Sequence, residues 1–167
     1  MAPFRLSIAR EQVRLPNGRT VELDIVRHPG ASAVVPFVSV DEVLLIRQFR
    51  HAAGGSILEV PAGKLDPGDT PESCAARELE EEAGRRTRRL EKLGAILTSP
   101  GFTDEVIHLF AAFDLEPVPL RHEHDEVIEL VPMRLTSALD LVWRGELSDA
   151  KSALALLFAA RHVGRLR

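Results

Sequence analysis

Residues 63–85 read GKLDPGDTPESCAARELEEEAGR, and this stretch decides the fold. Thr70 suits the N-cap of a helix, Pro71 suits its first position, and Gly84 stands where helices commonly end. We therefore predict a helix over residues 72–83. At about 100° per residue, one face of this helix carries the acids Glu78, Glu81 and Glu82, and a separate apolar stripe is formed by Ala75, Ala76, Leu79 and Ala83.

The three acids repel one another and lie toward the negative end of the helix dipole. Two interpretations follow from the residues alone. The acids form a solvated helix face, as charge-rich helices often do, or they bind a divalent cation through hard oxygen ligands. The spacing does not decide between these interpretations.

The same stretch resembles the box of the Nudix hydrolase family, Gly-x5-Glu-x7-Arg-Glu-U-x-Glu-Glu-x-Gly-U, in which U is aliphatic. Seven of the nine defined positions match. Asp69 replaces the first glutamate and Arg85 replaces the last aliphatic residue. The matching residues are Gly63, Arg77, Glu78, Leu79, Glu81, Glu82 and Gly84.

Residues outside the box extend the resemblance to the ADP-ribose pyrophosphatase branch of the family. The relevant segments read RQFR at 47–50, LEVPAG at 58–63 and SPGF at 99–102. Pro100 stands sixteen positions after Gly84, as that branch requires.

The resemblance implies a metal site and a catalytic base. It implies that Glu78 and Glu82 bind Mg²⁺ or Mn²⁺ together with the carbonyl of Ala62. Glu81 is implied as a further ligand or base, and Arg77 as a brace for the box loop through an acid such as Asp69. The base of this branch comes from a loop after the box, here 116–126, in which Glu126 is preferred slightly over Glu123.

Substrate contacts are expected from further residues that the resemblance highlights. These are Arg47 and Arg50 for phosphates, Glu59 for ribose or metal, Pro100 as the branch marker, and Phe102 as a stacking residue. His122 and His124 lie in a charged loop without an accompanying cysteine, so we expect no zinc site there.

The activity implied is water attack on a diphosphate that links a nucleoside to another group. ADP-ribose, cleaved to AMP and ribose 5-phosphate, is the expected substrate. The same chemistry on FAD, diadenosine polyphosphate, GDP-mannose or a nucleoside triphosphate is the alternative. A non-catalytic nucleotide sensor on the same fold is a third interpretation, which the intact box acids disfavour.

Outside the box, the pattern predicts an α+β fold. A hairpin over 13–25 turns at Asn17-Gly18. Further strands are predicted at 33–40, 43–47, 58–60, 94–97, 106–113 and 127–131, and helices at 137–143 and 150–162. The resemblance implies an α-β-α sandwich with a mixed sheet, formed as a single domain over 1–167. Residues 1–28 are then an N-terminal hairpin extension used in a homodimer.

Composition limits the partners. The chain has 167 residues, a net charge of −4 and one cysteine. The negative charge disfavours nucleic acid as a ligand, and the apolar runs are too short to cross a membrane. The lone cysteine suits the reducing cytoplasm, where we expect the protein to reside with a small-molecule substrate.

Overall fold

The fold is described from a computed structural model that covers residues 7–122, 124 and 126–166. The strands are β1 (Ser7–Arg14), β2 (Thr20–Arg27), β3 (Ala31–Pro36), β4 (Glu42–Arg50), β5 (Gly55–Glu59), β6 (Ala62–Lys64), β7 (Arg85–Leu97), β8 (Val106–Pro117) and β9 (Ile128–Arg134). The α-helices are α1 (Pro71–Ala83), α2 (Leu135–Trp143) and α3 (Ala150–His162), and a short 3₁₀ turn spans His51–Ala53.

The strands form three sheets. A four-stranded sheet has the order β6-β3-β8-β7, a three-stranded sheet has the order β5-β4-β9, and β1 pairs with β2 alone. Strands β3 and β8 run parallel, whereas the other pairs are antiparallel. The predicted mixed sheet and N-terminal antiparallel hairpin are thus confirmed.

Helices cover both faces of the central strands. All six residues of β3 are buried, as expected for a strand covered on both sides. Its successive side chains alternate between faces, so Val34 packs with Leu79 of α1 while Val35 packs in the cluster that includes Leu156 of α3. This arrangement is the predicted α-β-α sandwich.

Local sequence signals correctly located the hairpin turn and the first helix. Gly18 has φ 82°, and the side chain of Asn17 accepts a hydrogen bond from the N–H of Arg19 at 3.1 Å. Thr70 caps α1, accepting from the N–H of Ser73 at 3.1 Å, and Gly84 ends it with φ 59°.

Several strands differ from the prediction, most of all β6 and β7. The segment 62–64 lies outside the predicted strands, but it forms β6 by pairing with β3. Strand β7 begins at Arg85 rather than at position 94, since pairing with the long strand β8 holds its arginine-rich first half extended. Among the described residues, no helix is both long and apolar enough to span a membrane.

Candidate active site

A cavity of about 1200 Å³ opens between the acidic face of α1 and the N-terminus of α3. Strands β3 to β8 and the segment before β9 also contribute to its wall. The charged side chains that line it include Arg50, Glu59, Lys64, Asp69, Arg77, Glu78, Glu81, Glu82, Arg121, Glu126, Asp149 and Lys151. The box acids therefore face a large polar cavity.

Two of the three box acids are buried in this wall. Glu78 is 8 % exposed and Glu82 is 2 % exposed, whereas Glu81 is partly exposed. Ala75, Leu79 and Ala83, which belong to the separate apolar stripe of α1, are fully buried. Packing of that apolar stripe against the sheet fixes the direction in which the acids point, so a solvated acidic face is excluded for Glu78 and Glu82.

Burial raises the pKa of both buried acids. Desolvation raises the pKa of Glu82 to about 8, with a further contribution from the charge of Glu78, against the opposing effect of the hydrogen bond from the Ala62 N–H. Desolvation also raises the pKa of Glu78 to about 7, although the neighbouring Arg77 opposes it. The cavity thus holds carboxylates whose negative charge is poorly compensated by the protein alone.

Arg77 connects the box loop with the acids. Its guanidinium donates to Asp69 at 3.2 Å and to the carbonyl of Lys64 at 3.0 Å. One guanidinium nitrogen also donates to Glu78 at 2.6 Å and to Glu81 at 3.1 Å. Arg77 thus contacts both the box loop and two of the box acids, and its role as a brace stays a prediction.

The replacement of glutamate by Asp69 leaves a well-bonded loop. Although desolvation raises the pKa of Asp69, hydrogen bonds from the Asp66 N–H, Ser73 and Arg77 give a net lowering. The side chain of Arg85, the second departure from the family pattern, donates to the carbonyl of Gly84 at 3.0 Å. Both departures are therefore accommodated within local hydrogen bonds.

Gly63 provides the close approach between the loop and α1. A Cβ atom at this position would lie 1.9 Å from Oε1 of Glu78 and 2.2 Å from its Cδ. Only a glycine leaves room for the Glu78 carboxylate in this position. The Ala62 N–H, one residue earlier, donates to Oε2 of Glu82 at 2.9 Å.

The donor set suits a hard divalent cation. Carboxylate and carbonyl oxygens are the ligands that Mg²⁺ and Mn²⁺ prefer, and the raised pKa values of Glu78 and Glu82 reflect a need for positive charge. In the described part of the chain, no three potential ligand side chains converge on one point. The Arg77 guanidinium instead holds Glu78 and Glu81, in the place where positive charge is needed.

A second charged cluster lies across the cavity. Glu59 is 3 % exposed and accepts from Arg50 at 3.0 Å and from Lys151 at 2.8 Å. Lys151 also donates to Asp149, the N-cap residue of α3, at 2.9 Å. Nearby, Ser152 Oγ accepts from the buried Val60 N–H at 2.8 Å, which ties α3 to the strand that leads into the box.

The segment after β8 docks on the C-terminal end of α1. The N–H groups of Val118 and Arg121 donate to the carbonyls of Gly84 and Glu81 at 3.0 and 3.1 Å. His122 Nε2 lies 3.2 Å from the carbonyl of Glu82, to which it donates. These contacts satisfy carbonyls that have no partner within the helix.

The structure brings together several of the residues highlighted by the sequence. Glu126 lines the cavity, and its charge contributes to the raised pKa values of Glu78 and Glu82. Glu123, the other candidate base, lies outside the described residues. The box acids, Arg77, Ala62, Arg50 and Glu59 all line the same cavity.

Three candidates lie elsewhere. Arg47 is exposed on β4 and lies 3.6 Å from Glu129, away from the cavity wall. Phe102 is 56 % exposed and lines a smaller neighbouring cavity of about 480 Å³. Pro100 is exposed and lines neither cavity. Roles for these residues at the substrate remain predictions.

Sequence reasoning overlooked the contributions of α3 and of Gln48. Lys151 and Asp149 lie about 90 positions from Glu59 along the chain, and nothing local to them indicates that they line a site. Gln48 stands within the quoted RQFR segment, and alternation along β4 turns it toward the same side as Arg50. The alternation of side chains along the predicted strand could therefore have identified Gln48 as a cavity residue.

This α-β-α sandwich, with buried helical carboxylates facing a polar cavity, has the architecture of a phosphoanhydride hydrolase. The NUDIX domain family profile matches residues 26–153. The chain therefore belongs to the Nudix family and is a pyrophosphohydrolase of compounds that contain a nucleoside diphosphate. Hydrolases of this family generally depend on a divalent metal ion.

Individual relatives agree with this assignment. The chain is 43 % identical to an ADP-ribose pyrophosphatase of Bacillus subtilis (strain 168), over 89 % of this chain and 81 % of the relative. It is 36 % identical to a GDP-mannose pyrophosphatase of Cronobacter sakazakii (strain ATCC BAA-894), over 80 % and 78 % of the two chains. A solved structure of an ADP compounds hydrolase shares the fold, with a TM-score of 0.81 at 24 % identity, covering 99 % of this chain and 100 % of that chain.

Proposed function

We propose that the enzyme hydrolyses ADP-ribose to AMP and ribose 5-phosphate with Mg²⁺ or Mn²⁺. The observation that carries this proposal is the pair of buried acids, Glu78 and Glu82, on a large cavity with cationic side chains on its far wall. Similarity to the B. subtilis ADP-ribose pyrophosphatase supports the choice of substrate.

The metal would be held by Glu78, Glu82 and the carbonyl of Ala62, with Glu81 as a further ligand. When bound, such a cation neutralises charge on the diphosphate and makes water more acidic. Arg77 keeps the box loop against α1 through Asp69 and the carbonyl of Lys64. Arg50, beside the buried Glu59, provides a guanidinium suited to phosphate oxygens.

Glu126 would act as the general base. In the reaction a water oxygen forms a bond to one phosphorus, the bridging P–O bond breaks, and one water proton passes to the Glu126 carboxylate. The position of Glu126 on the cavity wall, near Glu78 and Glu82, supports this role.

Product analysis tests the proposal directly. Purified enzyme with Mg²⁺ should convert ADP-ribose to AMP and ribose 5-phosphate, and Glu82→Gln should reduce turnover by orders of magnitude while keeping the fold. Glu72→Gln is the matched control, because Glu72 is an exposed glutamate in the first turn of the same helix. Undiminished turnover in Glu82→Gln would contradict the central role of the box acids.

GDP-mannose is the second candidate substrate, favoured by similarity to the GDP-mannose pyrophosphatase. A panel containing ADP-ribose, GDP-mannose, FAD, diadenosine polyphosphate and nucleoside triphosphates decides between them through kcat/KM. A higher kcat/KM for any other member than for ADP-ribose would overturn the preferred assignment.

The N-terminal hairpin is proposed to form a homodimer whose substrate site borrows residues from both subunits. Strands β1 and β2 form a separate two-stranded sheet, and such a sheet is marginal in water by itself. Ile8 and Leu23 on this hairpin are 72 % and 39 % exposed. Sedimentation should show a dimer at micromolar concentration, and a fully active monomer would refute the proposal.

We place the enzyme in the cytoplasm. Its single cysteine, Cys74, is buried as a free thiol in α1, which suits a reducing compartment. Fractionation of cells that produce the protein tests this location.

A further inference from the structure

Gln48 carries a buried carbonyl oxygen that accepts no hydrogen bond from the described residues. The residue is 4 % exposed, lies on β4 and lines the main cavity. A buried polar atom without a partner is unusual in proteins, because it has lost its hydrogen bonds to water. The oxygen of Gln48 therefore needs a donor that the described protein does not supply.

Strand register places Gln48 close to Glu126, the proposed base. Gln48 pairs with Ile128 of β9, and continuing the antiparallel register by two residues sets Arg50 opposite Glu126. Because side chains two apart on a strand share a face, Gln48 lies beside Arg50 and diagonal to Glu126, within reach of long side chains.

Glu82 belongs to the same group of charges. The pKa of Glu82, raised chiefly by burial, is also raised by the charge of Glu126 and lowered by that of Arg50. The guanidinium of Arg50 donates instead to Glu59, through two of its nitrogens. Gln48 thus lines the same cavity as Glu82 and Glu126. In their ionised forms these two acids only accept hydrogen bonds, so they supply no donor to its oxygen.

We propose that Gln48 is a further catalytic residue that accepts a hydrogen bond from the attacking water. This inference rests on the proposed function, in which Glu126 accepts a proton from the same water. The terminal torsion of glutamine is soft, so a modest rotation turns Oε1 into the cavity that the residue already lines.

The chemistry of the reactants favours water as the donor. An ionised diphosphate has no hydrogen to donate, whereas water has two. One O–H points to Glu126 and the other to Gln48, which leaves a lone pair of the water oxygen free to attack phosphorus. The new P–O bond forms as the bridging P–O bond breaks, one proton passes to Glu126, and the other hydrogen leaves on the product phosphate.

Replacement by a residue of similar shape without a polar oxygen provides the test. Gln48→Met should raise the melting temperature of the ligand-free enzyme, because the unpaired oxygen is removed. It should lower kcat about tenfold, the effect of one lost hydrogen bond, with KM unchanged. The matched control is Glu42→Met, since Glu42 is an exposed residue at the start of the same strand, β4.

Different results identify different failures. A lower melting temperature for Gln48→Met, or an unchanged kcat, would overturn the proposal. A loss confined to KM that differs between ADP-ribose and GDP-mannose would assign Gln48 to a sugar hydroxyl instead of water. If wild type does not cleave ADP-ribose, the substrate assignment fails by itself, and the variant is measured on the panel member that is cleaved.

A double variant tests whether the two residues share one water. If they do, adding Gln48→Met to Glu126→Gln should cost much less than tenfold in kcat, because the water is already poorly held. Fully multiplicative losses would overturn the shared water. Wild-type kcat in Glu126→Gln with a tenfold loss in Gln48→Met would remove Glu126 as base and retain Gln48.

Discussion

Gly63→Ala should weaken metal binding without replacing any of the proposed metal ligands. The new methyl group would lie 1.9 Å from Oε1 of Glu78, and ordinary contacts begin at 3.4 Å, so this oxygen has to retreat by about 1.5 Å. Gly63 has no left-handed backbone conformation, so alanine itself fits the chain there. The perturbation is therefore confined to the position of the Glu78 carboxylate.

The effect on stability should be small. Moving the carboxylate breaks the 2.6 Å hydrogen bond from Arg77, which costs about 1.5–3 kcal/mol of unfolding free energy. The lower chain entropy of alanine in the unfolded state offsets about 0.5–1 kcal/mol of this cost. Metal–ligand distances tolerate only about 0.2 Å. We therefore expect apparent Mg²⁺ affinity to fall roughly 10- to 100-fold, as it does when groups that orient a ligand are lost.

Turnover measured against Mg²⁺ concentration provides the assay. Gly55→Ala is the control, because a Cβ at Gly55 in β5 meets no atom within 4 Å. High Mg²⁺ should partly restore the rate of Gly63→Ala. A wild-type Mg²⁺ dependence in this variant would refute the assignment of Glu78 as a ligand that the glycine makes room for.

Three further predictions follow from the site. Glu126→Gln should lower kcat and leave KM and Mg²⁺ affinity nearly unchanged, whereas Glu78→Gln should weaken Mg²⁺ binding directly. If Glu126→Gln keeps the wild-type kcat, Glu81 becomes the leading candidate for the base. The pKa values of Glu78 and Glu82, about 7 and about 8 when folded, exceed the value near 4.5 of an ordinary glutamate. The folded state therefore binds more protons than the unfolded state over this pH range. The contribution of these two acids to the stability of the metal-free enzyme should be greatest below about pH 4.5. It should be lost as the pH rises to about 8, which lowers Tm by several degrees. Thermal melts in chelator should show this fall, and a fall of equal size in Glu82→Gln would contradict it. Ser152→Ala should lower the free energy of unfolding by about 1–3 kcal/mol in a denaturant titration, because the buried Val60 N–H loses its acceptor; an unchanged unfolding free energy would show that the contact is dispensable.

Structural features that depend on residues close together in the sequence were predictable. Thr70, Pro71 and Gly84 set the ends of α1 through local capping, and Asn17-Gly18 set the hairpin turn. Strand β6 is only three residues long and depends on β3 for its hydrogen bonds, so no local signal marked it. The arginine-rich start of β7 lacks apolar alternation for the same reason, since its partner β8 supplies the pairing.

The residues of the site also separate into those that a local motif identified and those that only the folded chain brings together. Glu78 and Glu82 were assigned to a metal through a local motif, and the structure places both on the cavity wall. Lys151 meets Glu59 across 92 positions of sequence, a distance over which a single chain gives no pairing signal. Arg47 and Arg50 looked equivalent in sequence, but strand alternation sends only Arg50 to the cavity.

The tie between Ser152 and Val60 has a consequence for biosynthesis. Proteins emerge from the ribosome N-terminus first, so the box helix is made long before α3. Until Lys151 and Ser152 arrive, Glu59 lacks one of its two cationic partners and the Val60 N–H lacks its acceptor. A nascent chain therefore carries its box acids beside an unfinished cavity wall until α3 has been made.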